Sequence, residues 1–162
     1  MAEQIISISE FAKQVLPGLA ENTGKTTVFF INDLGVEGCE HPGTPYADEK
    51  LEIRIESPSR FYILLRQETI DSHHLTIFIY AGQNYFSQAV GLATKSRYRY
   101  PRATIILVIC QCCWDPKTEA AIQDAFLYRH PSNYLIVDRI PGCGGRKEMG
   151  QILKMTQESF GR

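Results

Sequence analysis

Three stretches in the second half of the chain are almost continuously apolar: LTIFIY (75–80), ATIILVIC (103–110) and YLIVDR (134–139). Strands buried on both faces read this way, whereas half-exposed antiparallel strands alternate. The segments between them have helical spacing. Phe86, Ala89, Val90 and Ala93 share one face of a helix predicted to begin near Asn84. Ala121, Ile122, Ala125 and Phe126 face inward on a second, with Asp115 as its cap and Pro116 in its first turn. A last helix follows Gly145 and turns Met149, Ile152, Leu153, Thr156 and Phe160 to the core. Strand and helix in alternation predict parallel βαβ units.

The first half has a different rhythm. Ser7-x-x-Glu10 has the form of a capping box, and Phe11, Val15 and Leu19 then recur four apart, with Pro17 set to kink or shorten the helix they mark. TTVFFI (26–31) is a β-branched and aromatic run that ends at Asn32-Asp33, where a long loop rich in glycine and proline opens, GVEGCEHPGTPY (35–46). Leu51, Ile53 and Ile55 alternate with charged residues. Ser57-Pro58-Ser59 separates them from FYILLR (61–66), so the two runs predict an antiparallel hairpin with one wet face. No internal repeat, low-complexity tract or linker interrupts the pattern. The expectation is a single α/β domain over 1–162, with a mostly parallel central sheet flanked by helices and an antiparallel hairpin inserted at about 51–66.

Composition changes this picture little. A chain of 162 residues can bury a core without metal or disulfide staples, and 44% apolar with 22% charged residues excludes disorder. The formal net charge of −1 names no partner. MAEQIISISEFAKQVL has no basic leader, and no apolar run approaches the roughly 18 residues that span a bilayer, which predicts a soluble cytoplasmic protein. Five cysteines form no regular disulfide framework. No cofactor and no oligomeric state follow from the pattern.

Parallel strands joined by crossovers of one hand end along a common edge, so the residues past each carboxyl end converge there. They are Ala81 to Tyr85, Gln111 to Asp115, and PGCGGRK (141–147), joined by Asn32 and Asp33 if 26–31 runs parallel to the rest. Gly142, Cys143, Gly144, Gly145, Arg146 and Lys147 have the chemistry of an anion cradle: glycines that admit close backbone approach, a helix amino terminus, and two cations. The segment matches neither GxxxxGK[ST] nor GxGxxG. Gln83 and Asn84 would add hydrogen-bond donors from the neighbouring strand end. Cys110 and Cys113 have CxxC spacing, but no second pair accompanies them, and Cys143 with Cys39 or His41 are the only plausible completions of a tetrahedral site. No metal site is therefore expected, and Cys110 is expected to be a buried thiol.

The strand ends FIYAGQN (78–84) and VICQCCWD (108–115) resemble the paired ends of caspase-like and metacaspase-like cysteine proteases. There an apolar strand ends in Ser-Gly-His-Gly and a later one in Asp-x-Cys before a helix. The resemblance covers 74–160. It implies Cys113 as the nucleophile, Gly82 as the glycine before the catalytic histidine, and Gln83 in the place of that histidine. Gln cannot accept a thiol proton as imidazole does, and Gln111 replaces the family's acidic residue, so the resemblance implies an inactive relative in place of a cysteine hydrolase.

KSRYRYPR (95–102) is the other concentrated chemistry. Lys95, Arg97, Arg99 and Arg102 with Tyr98 and Tyr100 are the mixture that contacts phosphates and stacks on bases, which admits an RNA or protein interaction module. It falls between a helix end and a strand start, at the amino edge, and the net charge supplies no wider basic field. His73, His74 and His130 also belong to that edge. The preferred expectation is a domain that binds an anionic small molecule or a protein segment at the carboxyl edge of its sheet, without protease activity of its own.

Overall fold

The computed structural model describes residues 4–21, 24–39, 43–67, 74–82, 85–110, 114–138 and 145–161. Along these the chain forms β1 (Ile5–Ile6), α1 (Ile8–Gln14), α2 (Leu16–Ala20), β2 (Thr26–Ile31), β3 (Gly43–Ala47), β4 (Leu51–Glu56), α3 (Pro58–Gln67), β5 (Leu75–Tyr80), α4 (Phe86–Arg99), β6 (Thr104–Cys110), α5 (Pro116–Ala125), β7 (Asn133–Asp138) and α6 (Arg146–Phe160). The seven strands make one sheet in the order β1-β7-β6-β5-β2-β4-β3. Every neighbouring pair is parallel except β3 with β4. The expected architecture, a mostly parallel sheet with helices on it and one antiparallel hairpin, is the observed one.

The central strands are apolar throughout because both faces are covered. Phe29, Ile31, Ile77, Ile79, Ile105 and Leu107 point to the side that carries α3, α4 and α5. Val28, Phe30, Phe78, Ile106, Val108 and Ile136 point to the side that carries α1, α2 and α6. Phe78 stacks on Phe30 at 5.0 Å and meets the edge of Phe11 at 5.5 Å, so one aromatic group ties α1 to β2 and β5. Such pairs add about 0.5–1.5 kcal/mol each beyond their buried area. Crossovers toward one sheet edge use the first side and the crossover from β1 to β2 uses the other, as connections of a single hand require.

The amino-terminal helix begins at the capping box: the Glu10 N–H donates to Ser7 Oγ and the Ser7 N–H to Glu10 Oε1, both at 3.1 Å. It breaks at Val15, and Pro17 stands in the first turn of α2, where its missing N–H leaves no bond unmade.

Three expectations shift. FYILLR (61–66) is helical, as part of α3, and the hairpin is built instead from 43–47 and 51–56. Phe61, Leu64 and Leu65 are buried while Tyr62 and Ile63 face out, which is helical spacing. Ser57 Oγ accepts from the Arg60 N–H at 3.2 Å, so Ser57-Pro58 acts as a cap followed by a first-turn proline. Since β4 runs parallel to β2 and β5 does too, a crossover between β4 and β5 was obligatory. The loop 35–46 closes sooner than its composition suggests: Val36 bridges to Cys39, and Pro45 lies in the edge strand β3, where a missing donor costs no ladder bond. Ala121, expected to face inward on α5, is exposed, and Ile122 with Phe126 carries the contact. Among the described residues no helix is long and apolar enough to cross a membrane.

Candidate functional site

The strand order reverses beside β2. From β2 the chain moves to β4 on one side, and from β4 it returns to β5 on the other. In open parallel sheets the loops that leave such a pair diverge, and the crevice between them at the carboxyl ends is where ligands sit. Here the crevice lies past Ile31 of β2 and Tyr80 of β5, so Asn32 and Asp33 join the edge as expected for a parallel β2.

The start of α6 comes to this place rather than staying above β7. Gly145 packs on the ring of Tyr80, two strands over from the strand that α6 follows. Beyond it, the Glu37 N–H donates to the Arg146 carbonyl at 3.0 Å, and Gly150 lies against the Glu37 backbone. The loop after β2 is itself held by Asn32, whose Nδ2 donates to the Gly35 carbonyl at 2.9 Å. The first turn of α6 is thereby fixed between the end of β5 and the loop that follows β2.

Tyr80 is the residue at this edge that sequence reasoning missed. It is 3% exposed, its hydroxyl lies 3.6 Å from Cys110 Sγ, and its ring is tilted against Tyr85 at 6.1 Å. A β-carbon on Gly82 would overlap its hydroxyl, and one on Gly145 would overlap its ring. Gly145 also has φ of +73°, which L side chains adopt at a cost. The sequence signal was present: a tyrosine ends an otherwise apolar strand, and a glycine stands two residues on.

The charges at this edge are mixed. Arg146 and Lys147 are exposed, while Glu148 in the same turn is 1% exposed. A carboxylate in the first turn answers the positive end of the helix, which leaves Arg146 and Lys147 as the cations that face solvent there. Asp33 and Glu37 are exposed nearby on the β2 loop. Asp115 caps α5, accepting from the Thr118 N–H at 2.8 Å, and that bond holds its carboxyl below the ordinary range.

Of the expected edge residues, Gly145, Arg146 and Lys147 are brought to the crevice, and Cys110 is a buried thiol. Gln83, Asn84, Gln111, Cys112, Cys113, Gly142, Cys143, Gly144 and His41 lie outside the described residues. Among the described residues no group of three His, Cys, Asp or Glu is arranged to hold a metal ion.

The segment 95–102 is not the loop it was expected to be. Lys95 to Arg99 form the end of α4, and Tyr100 is buried. Arg97 is turned inward: its Nε and one terminal nitrogen donate to Asn133 Oδ1 at 3.1 and 2.6 Å, and the guanidinium also reaches the carbonyls of Pro101 and Ser132. Asn133 Nδ2 in turn donates to the Phe126 carbonyl at 2.9 Å. Burial draws the Arg97 pKa down to about 10, and it stays charged at neutral pH. Arg97 and Tyr100 thus serve the amino edge of the sheet. Tyr98, 90% exposed, stands in solvent, and the Lys95 ammonium lies 4.1 Å from the Tyr62 ring centroid.

Two outcomes follow from these contacts. Gly145→Ala should cost about 2–4 kcal/mol in urea unfolding, from the left-handed backbone and the overlap with Tyr80 together. In a Tyr80→Val background the same change should cost only the backbone part, about 1–2 kcal/mol; equal costs in both backgrounds would remove the Tyr80 contact as the cause. At the amino edge, His130 Nδ1 accepts from the Ser132 N–H at 3.0 Å, which requires the neutral ring. Burial, then the Arg97 charge, hold the His130 pKa below 6.5, against a small opposing effect of the Pro101 backbone. The unfolded chain therefore takes up the proton first, so this stability is present above the unfolded value and is lost as pH falls toward the folded one. Melting temperature should decline between about pH 7.5 and about 5.5. His130→Asn, which keeps an acceptor and cannot titrate, should flatten that decline; parallel curves for the two proteins would rule His130 out.

Comparison with family models, with curated proteins and with solved structures found no match to this chain.

Proposed function

We propose that the carboxyl edge beside β2 and β5 binds an anionic group, carried by a small molecule or by a protein segment, and that it does so without protease chemistry of its own. One observation carries this: the first turn of α6, with Arg146 and Lys147 exposed on it, stands at the strand-order reversal and not above its own strand. A helix amino terminus and two cations favour negative charge, and an open sheet offers its ligand space at that reversal. In this role Arg146 and Lys147 would neutralise the anion, Gly142, Gly144 and Gly145 would let the backbone approach it, Cys143 belongs to the same sequence segment, and Gln83 with Asn84 would donate hydrogen bonds.

A second function, an inactive relative of the caspase-like proteases, is supported by the adjacency of β5 and β6. They are parallel with Tyr80 paired to Val108, so the ends that lead to Gln83 and Cys113 are neighbours. If Cys113 were instead an active nucleophile it would be a thiolate at neutral pH, and iodoacetamide would label it well ahead of the other cysteines. With glutamine in the histidine position, labelling at Cys113 is expected to be no faster than at an ordinary exposed thiol.

Calorimetric titration with inorganic pyrophosphate and with ADP tests the proposal. Binding of either should weaken at least about tenfold when Arg146 and Lys147 are both changed to Ala, about 1.4 kcal/mol, with thermal unfolding unchanged. Equal affinity in the variant, or no binding of either probe to the native protein at millimolar concentration, would overturn it.

A further inference from the structure

A second candidate surface lies on the opposite side of the sheet from α6. α3 and α4 pack side by side there, and between them runs a half-open groove of about 420 Å³. Both helices follow parallel strands and therefore run in the same direction from the carboxyl edge. Ser59 and Ser87, in their first turns, stand at one end of the groove, and Lys95 at the other. Pro58 stands beside Ser59 at that first end, and Tyr62, Gly91 and Leu92 form the middle.

Three observations give this groove a chemistry. The first is charge. α3 reads PSRFYILLRQ and α4 reads FSQAVGLATKSRYR: five cations and no carboxylate, in a chain whose formal net charge is −1. Arg97 is committed inward, but Lys95 is exposed at the groove and Arg66 is exposed in the last turn of α3. Tyr62 and Arg66 stand four apart on one face of α3, and the Lys95 ammonium lies against the Tyr62 ring, so the two cations flank Tyr62; both hold its phenol below the ordinary range, Lys95 the more strongly. The second is shape. Gly91 sits mid-helix, where glycine costs about 1 kcal/mol relative to alanine. A β-carbon there would meet nothing within 4 Å among the described residues, so no packing contact among them calls for its absence. What the missing side chain does is keep the groove deep. The third is surface character: Tyr62, which lines it, and Ile63, next in α3, are large apolar side chains left exposed.

An apolar trough with cations at one end and helix amino termini at the other suits a chain segment that carries both an apolar anchor and carboxylates. Nucleic acid fits it less well. Among the described residues, the aromatic ring that lines the groove, Tyr62, is already covered by Lys95; Arg97 and Tyr100 are turned into the protein, and Tyr98 and Arg99, although exposed, do not line the groove. We propose that the groove between α3 and α4 docks a short acidic peptide segment of a partner protein, its apolar side chain seated over Gly91 and Leu92 and its carboxylates meeting Lys95 and Arg66. This surface lies on the opposite face of the sheet from α6 and its cations, and neither proposal depends on the other.

The test is a selection of random dodecapeptides displayed on phage against the immobilised full chain, with the Gly91→Trp protein as counter-selection. Gly91→Trp fills the groove and has room to do so, and unchanged thermal unfolding verifies its fold. Enriched peptides should carry net negative charge around a large apolar residue. In fluorescence polarisation they should lose at least about tenfold in affinity to Gly91→Trp and to the Lys95→Glu, Arg66→Glu double variant. The Arg146→Ala, Lys147→Ala protein should bind them as the native chain does. Peptides enriched without acidic residues, or no enrichment beyond the counter-selected protein, would overturn the proposal. So would poly(U) RNA that binds the native chain and is lost on Gly91→Trp, since the groove would then belong to nucleic acid.

Discussion

Parallel strands cannot be joined by a tight turn, and this requirement organises the molecule. Each of β4, β5 and β6 must be followed by a chain that returns to the starting edge before the next strand begins. The returning chain is helical and covers the sheet, so the strands in the middle are apolar on both sides. With crossovers of one hand, travel toward one edge puts α3, α4 and α5 on one face, and travel from β1 to β2 puts α1 and α2 on the other. The same rule explains why all of these strands end along one edge, and the order reverses beside β2 because the chain goes from β2 to β4 on one side and returns to β5 on the other. The site and the groove are both consequences of it: the reversal opens the crevice, and two successive crossovers on one face lie side by side.

At the crevice, one ring sets the spacing. Tyr80 occupies the space between the ends of β5 and β6 and the start of α6, and it does so because two glycines decline to. The helix can then begin over β5 with its cations outward and Glu148 inward. Cation and carboxylate in one turn divide the labour. The buried acid answers the helix end, and the exposed bases extend beyond it.

Cations on the opposite side of the sheet also differ by placement. Arg97 is spent on the amino edge, where it holds the carbonyls and amide around Asn133 that join α4, β7 and the turn before it. Lys95, two residues earlier on the same helix and so on another face of it, points along the groove to Tyr62. Neighbours in a basic stretch thus do unrelated things, and a near-neutral total charge conceals a helix pair with no carboxylate at all.

Continuity of the apolar runs was enough to specify the parallel core, since only strands covered on both faces can be so uniformly apolar, and the helices between them followed from spacing. The capping box at Ser7 and the break at Pro17 were equally local and equally legible. FYILLR was not, because six residues of mostly apolar character fit either period; it became a helix when β4 paired in parallel with β2 and made a crossover obligatory. The carboxyl edge was legible as an edge, for strand direction alone defines it. That α6 starts over β5, that Tyr80 fills the space beneath it, and that Arg97 turns inward to Asn133 while Lys95 turns outward were decided by tertiary packing. Each depends on residues dozens of positions apart, and no local periodicity records them.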